Sequence, residues 1–335
     1  MKLISKISKI APILLLVLVL SACSSDDDNN GGSDLPPSDP NIVEIAIATP
    51  ELSSLVAAVI QADLTGILTG PGPFTVLAPT NTAFDNFLAA NNFDALSDVP
   101  NDILTQVLLN HVISGEVTSS TLVTAGDGYT TTNADAPDSS NLSLYFNTSN
   151  GVVFNGISTV TDGGADIDAS NGVIHIVDAV IGLPTIADFA LANPALSNLV
   201  AALQSADSQN PSPGLIPLFM DQTSGPFTVF GPTDGAFANL LLELDDTGNT
   251  ALGDLDPALV EAVLRTHVLA DNVRSTELTT TTVEAINMEE LDIDATALTI
   301  TDPRDRVSNI VAALIDIQGI NGVVHVIDTV LLPAE

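Results

Sequence analysis

The feature that most constrains this chain is that nearly all of it occurs twice. Residues 42–63 (IVEIAIATPELSSLVAAVIQAD) match 186–207 (IADFALANPALSNLVAALQSAD), an offset of 144. FTVLAPTNTAF at 74–84 matches FTVFGPTDGAF at 227–237, an offset of 153. VLLNHVISG (107–115) matches VLRTHVLAD (263–271) at 156, and NGVIHIVDAVI (171–181) matches NGVVHVIDTVL (321–331) at 150. A drifting offset means fixed blocks joined by loops of unequal length. One insertion, around Gln209 to Phe219 in the second copy, is rich in proline. A period near 150 residues is a whole duplicated domain rather than a solenoid unit, and 335 residues suit two domains. The copies abut at Gly182-Leu183-Pro184, so they are expected to touch.

Within each copy the local signals are readable. Thr49-Pro50 and Asn193-Pro194 each place a capping residue before a proline at the first helical position. Leu52, Leu55, Val56 and Val59 follow at helical spacing as a buried stripe. FTVLAP reads as a buried strand, and Thr80 can cap a helix carrying Phe84, Phe87 and Leu88. Asp256-Pro257 starts a helix with Leu259, Val263 and His267 four apart, Val260 and Leu264 beside them; Ile103, Leu104, Val107, Leu108 and His111 repeat that stripe. From about 115 to 181 the composition turns to Thr, Val, Tyr, Asn and Gly, with turn signals at Asn150-Gly151, Asn155-Gly156 and Asn171-Gly172. That half reads as successive short strands. Helices first and strands after, twice, predict α+β domains.

These blocks resemble the fasciclin I domain family, over residues 41–183 and again over 184–333. Both family signatures stand in each copy: FTVLAPTNTAF and FTVFGPTDGAF, then NGVIHIVDAVI and NGVVHVIDTVL. The resemblance implies two tandem fasciclin-like domains, each a wedge-shaped β-sandwich with helices packed at one end. It also implies a role in adhesion or extracellular-matrix interaction. The family's Tyr-His motif falls on Asn110-His111 and Thr266-His267, without the tyrosine. Its Asp-Ile pair matches Asp166-Ile167 and Asp316-Ile317; these four residues read either as strand residues with the isoleucine inward or, in an exposed contact role, as the binding candidates.

The N-terminus has a different character. Lys2, Lys6 and Lys9 are the only lysines, and an apolar run from Ile10 to Leu20 follows them. A basic start, an apolar run and Leu20-Ser21-Ala22-Cys23 have the layout of a secretory signal over residues 1–22. The run is shorter than the roughly 18–20 residues that span a bilayer. Cys23, the only cysteine, is either a small core residue or, in what looks like a bacterial lipobox, the site of lipidation. Residues 23–40 are almost without apolar side chains and read as a flexible acidic tether. Asp26, Asp27 and Asp28 are a solvated charge run or resemble an acidic export signal. The expected location is the outer membrane, lipid-anchored and exposed on the cell surface. The remainder carries four arginines against all 42 acidic side chains, which excludes nucleic acid as a partner and leaves the lipid as the only membrane contact.

All four histidines sit at matched positions, His111 with His267 and His175 with His325. They read as metal ligands or general bases, or as buried structural histidines; their apolar surroundings favour the second. No nucleophile triad, carboxylate cleft or phosphate loop is argued by spacing, so no enzyme, cofactor or metal centre is expected. Asp162, Asp166, Asp168 and Ser170 resemble the start of a calcium loop, but Val177 stands where the bidentate Glu belongs. Weak, diffuse Ca²⁺ association with the carboxylates is the expectation. The expected partner is an extracellular or cell-surface protein or glycan. An alternative function, a glycan-binding accessory lipoprotein, would need exposed aromatic rings. Trp is absent, and Tyr129 and Tyr145 are the only tyrosines.

Overall fold

The computed structural model of the chain describes residues 39–335; the expected signal segment, Cys23, Asp26–Asp28 and nearly all of the tether lie outside the described residues. The first copy opens with α1 (Ile42–Ala48), a helix ahead of the one expected at Thr49-Pro50. Asn41 starts it in a capping box, accepting from the amides of Val43 and Glu44 while Glu44 bonds back to the Asn41 amide. Thr49 holds the N-cap position of the short turn Pro50–Leu52 but makes no side-chain capping bond, whereas Asn193 accepts from the Ala195 amide in the matching turn. The Thr49 hydroxyl donates to the Ile45 carbonyl at the end of α1, and Pro50 turns the chain into α2 (Ser53–Gln61). There follow α3 (Thr65–Leu68), β1 (Phe74–Pro79), α4 (Asn81–Ala90), capped by Thr80, and α5 (Asn101–Leu109). After β2 (Val112–Ser114) comes a helix where only strands were expected, α6 (Ser119–Ala125). Thr118 caps it and Gly126, at φ 84°, ends it. The strands β3 (Asp127–Asp135), β4 (Asn141–Asn147), β5 (Val153–Phe154), β6 (Ser158–Thr159), β7 (Ile167–Ala169) and β8 (Gly172–Val177) complete the copy.

The second copy repeats this order. Its helices are α7 (Ile186–Ala192), α8 (Ser197–Asp207), α9 (Leu215–Met220), α10 (Asp234–Leu244) and α11 (Pro257–Thr266), with β9 (Phe227–Pro232) between α9 and α10. Then come β10 (Val268–Leu269), β11 (Thr281–Glu284), β12 (Glu290–Asp294), β13 (Thr299–Thr301), β14 (Val307–Asn309), β15 (Ile317–Gly319) and β16 (Gly322–Ile327). Between β10 and β11 no helix corresponds to α6. The proline-rich insertion leads into α9, whose Leu215 and Phe219 are buried.

Each copy holds two four-stranded sheets. One is mixed, ordered β2-β1-β8-β7 and β10-β9-β16-β15, with the central pair parallel; the other is an antiparallel meander, β3-β4-β5-β6 and β11-β12-β13-β14. The second signature explains itself here. Gly172 and Gly322 have φ 148° and 154°, and a Cβ there would lie 1.9 and 2.2 Å from the carbonyls of Phe74 and Phe227. The preceding asparagines are ties: Asn171 donates to the Leu68 and Gly70 carbonyls and accepts from the Ile42 amide. Asn321 does the same for Phe219, Asp221 and Ile186.

Burial is uneven along the helical stripes. Leu104, Val107 and Leu108 are buried, but Ile103 and Leu259, expected on the stripe, are 44% and 47% exposed. Between the copies the packing is direct. In β12 burial alternates, Leu291 and Ile293 inward against exposed Glu290, Asp292 and Asp294. In β4 every residue from Leu142 to Phe146 is buried, because the second copy covers its outer face. Tyr145 belongs to the same apolar core as Phe189 of α7, and Tyr129 lies against both rings, at 5.1 and 5.8 Å between centroids. Asn193 donates to the Tyr129 hydroxyl and the Gln318 backbone amide to Ser143 Oγ, while within the second copy the Ile320 amide donates to the Pro184 carbonyl.

Candidate functional site

The histidines fall into two kinds, each present once per copy. His111 closes α5, and its Nδ1 lies 2.7 Å from the Val107 carbonyl while its Nε2 accepts from the Ile181 amide at 2.9 Å. His267 repeats this with Val263 at 2.7 Å and the Leu331 amide at 2.9 Å. A carbonyl only accepts and an amide only donates, so both rings are neutral and carry their proton on Nδ1. Burial pushes each well down, to about 4. The bonded amides lie just past the last strand of each copy, so these rings pin the exit of the chain.

His175 on β8 and His325 on β16 are the opposite tautomer. Nε2 donates to the carbonyls of Val117 and Val273, and Nδ1 accepts the amides of Asp166 and Asp316 at 3.2 Å. Burial holds His325 below its ordinary value. All eight ring nitrogens are thus engaged with backbone.

The Asp-Ile pairs sit at the other end of that bond. Asp166 and Asp316 precede β7 and β15 with φ 53° and 58°. Each carboxylate accepts an amide at 2.7 Å, from Ser119 and Ser275, together with a short bond from the same serine's hydroxyl. Burial raises Asp166, but the two bonds from Ser119 outweigh it and hold the carboxyl below the usual range. Arg274 stands 3.8 Å from Asp316. Ile317 is 2% exposed and belongs to the core, so it presents no contact surface; Ile167 is half-buried against its own core. The carboxylates expected as contacts clasp the loop between β2 and β3, and between β10 and β11.

Serine, aspartate and histidine do meet here, twice, but in an order that cannot activate a nucleophile. In a hydrolytic triad the histidine takes the serine proton and the aspartate orients the histidine. Here the serine hydroxyl is bonded to the aspartate, and the imidazole receives the aspartate's own amide. Among the described residues no group of three or more His, Cys, Asp or Glu has a metal-binding arrangement. Tyr145 is buried and Tyr129 half-buried against it between the copies; burial raises the Tyr129 phenol well above its ordinary value.

One positioning residue escaped the sequence reading. Asn110 Nδ2 donates to the Gly182 carbonyl at 2.9 Å and its Oδ1 accepts from the Thr132 hydroxyl at 3.1 Å, so Asn110 and His111 together hold the linker. The signal was a difference between the copies: Asn stands beside the histidine in the first, Thr in the second.

The fasciclin domain family model matches residues 50–184 and 194–333. Protein sll1483 of Synechocystis sp. is 38% identical over 140 residues, 42% of this chain and 72% of that protein. Transforming growth factor-beta-induced protein ig-h3 of Oryctolagus cuniculus is 29% identical over 269 residues, 79% of this chain. The match spans 35%, about a third, of that protein's length. Among solved structures, a FAS1 domain pair from the insect cell adhesion molecule fasciclin I superposes with a TM-score of 0.50 at 18% identity, covering 84% of this chain and 97% of that one.

Proposed function

The chain belongs to the fasciclin domain family, and from that premise we propose that it is a non-catalytic adhesion or matrix-interaction module held on the cell surface by a lipid on Cys23. One observation carries the non-catalytic reading: in both copies every imidazole nitrogen and both clasping carboxylates are engaged in holding backbone. Function then belongs to the outer surface. Support for adhesion comes from the family and from the related domain pair of an insect cell adhesion molecule. The anchor rests on the Leu20-Ser21-Ala22-Cys23 pattern, and the outer-membrane location on that pattern with Asp26–Asp28. Of the two tyrosines one is buried and the other half-buried between the copies, so a protein ligand is favoured over a glycan.

The test is attachment of cells carrying the lipidated protein to arrayed matrix proteins and glycans. Binding to proteins that survives substitution of His175 and His325 supports the proposal. Turnover of an array component, or binding confined to glycans, overturns it. Detergent partitioning of Cys23→Ser tests the anchor separately: a variant that still partitions with membrane removes the lipid from the account.

A further inference from the structure

The four arginines are few enough to be traced one by one. Arg265 pairs with Glu261 at 2.8 Å, Arg274 with Asp316 at 3.8 Å, and Arg306 with Glu243 at 2.9 Å. Arg304 has no carboxylate within ion-pair distance among the described residues, in a chain of 42 acids. Its Nε donates to the Pro333 carbonyl at 2.7 Å, which fixes the guanidinium, and its terminal nitrogens make no hydrogen bond to the described residues. Arg304, itself exposed, is one of the residues lining an apolar cavity of about 80 Å³ between α8, α10, α11 and the Leu332-Pro333 stretch. The walls are mostly leucines, Leu240, Leu252 and Leu255 among them, with Phe237, valines, an alanine and a proline; Leu244 and Leu259 are 54% and 47% exposed. The first copy differs. Phe87 stands where the second has Leu240, and Phe93 packs on the same core. The first copy also contains no arginine.

We propose that this cavity binds an amphipathic monocarboxylate, a short-chain to medium-chain fatty acid, with its alkyl end among the leucines and its carboxylate on Arg304. A planar guanidinium fork matches a carboxylate bidentately, and the cavity walls offer an alkyl chain an apolar surrounding. Size sets the chain length. An apolar cavity of about 150 Å³ takes benzene, so this smaller one takes a few methylenes, and the rest of a chain lies along exposed Leu244 and Leu259. Charge sets the head group. The acidic body repels anions generally, so an anion is favoured where a cation is left unpaired, and among the described residues Arg304 is such a cation.

The test is calorimetric or NMR titration of the protein with octanoate, octanol and octylammonium. Octanoate is expected to bind at least tenfold more tightly than octanol, and octylammonium more weakly than either. Arg304→Gln removes the octanoate preference while leaving octanol binding unchanged. Leu240→Phe, which introduces the first copy's ring, loses both ligands; Leu244→Gln at the exposed mouth, the second variant should Leu240→Phe fold poorly, weakens both. Equal binding of octanoate and octanol to the parent protein, or an octanoate preference that persists in Arg304→Gln, overturns the proposal. No octanoate binding at millimolar concentration does so too. Matrix attachment is a separate readout, so failure here leaves the adhesion reading standing, and the reverse.

Discussion

The Ile181 amide donates to Nε2 of His111 from 70 residues away, and the Leu331 amide makes the matching bond to His267. Each imidazole is a bracket between the end of a helix and the point where its copy releases the chain.

Removing that bracket strands a buried amide and a buried carbonyl. His111→Ala is expected to destabilise the protein by about 1–3 kcal/mol from the lost hydrogen bonds, more with the cavity that the ring leaves. A lowered Tm by calorimetry, with attachment retained below it, checks this. An unchanged Tm with attachment lost would make His111 a contact instead.

Acid should act through the same rings. Folded His111 and His267 titrate at about 4 against 6.5 for the free side chain, so between those values the unfolded chain takes up protons that the folded one refuses. Stability is therefore full near neutrality and falls as pH drops from about 6.5 toward 4, by up to about 3 kcal/mol per ring. Urea unfolding of the parent and of His111→Gln across that range isolates the effect, since carboxylate protonation is common to both. Parallel curves would refute it.

Tyr129→Ala should uncouple the copies. It removes a ring packed on Tyr145 and Phe189 and the acceptor of Asn193, a loss of about 3 kcal/mol on the scale of large-to-small core changes. The parent is expected to unfold in one calorimetric transition and the variant in two. A single transition in both would mean that other interface bonds suffice.

The clasps should be unequal. Asp316, with a side chain 17% exposed and Arg274 nearby, is expected to matter more to stability than Asp166 at 37%. Asp316→Asn and Asp166→Asn, compared by chemical unfolding, should differ by about 1 kcal/mol. Equal losses would show that the shared serine contacts alone set the effect.

Attachment should strengthen with NaCl or Ca²⁺, because 42 acidic side chains repel a similar surface over a Debye length of about 8 Å at physiological salt. Bead aggregation across salt, with and without chelator, measures this. Weakening with salt would indicate a cationic partner held by direct attraction.

The duplication and the two signature strands were legible because β1, β8 and their counterparts are buried nearly throughout and tolerate little besides apolar residues. Helix α1 was not: IVEIAIA is rich in β-branched residues, and what makes it helical is the Asn41 capping box and the bond from Ile42 to Asn171, 129 residues on. Ile103 and Leu259 fit the helical period but lie in the first turns of α5 and α11 and are largely exposed. The Asp-Ile pairs were visible as letters. That the aspartate backbone is left-handed and its carboxylate folded onto a serine belongs to tertiary structure, which spacing does not record. Of the interface, sequence supplied only the short linker; the pairing of Tyr129 with Asn193 has no local signature.

The bonds at the boundary also determine how the molecule would carry a pull. The chain enters the second copy beside the start of β16, where Ile320 holds Pro184 and Asn321 holds Ile186, and leaves it past the other end of the same strand. The first copy is strung alike, with Ser170 on Pro40 and Asn171 on Ile42. Tension between the ends therefore runs along β8 and β16, each flanked on both sides by hydrogen-bonded strands. The ladders are loaded in shear, all rungs at once, instead of unzipping one by one: the arrangement of a lap joint.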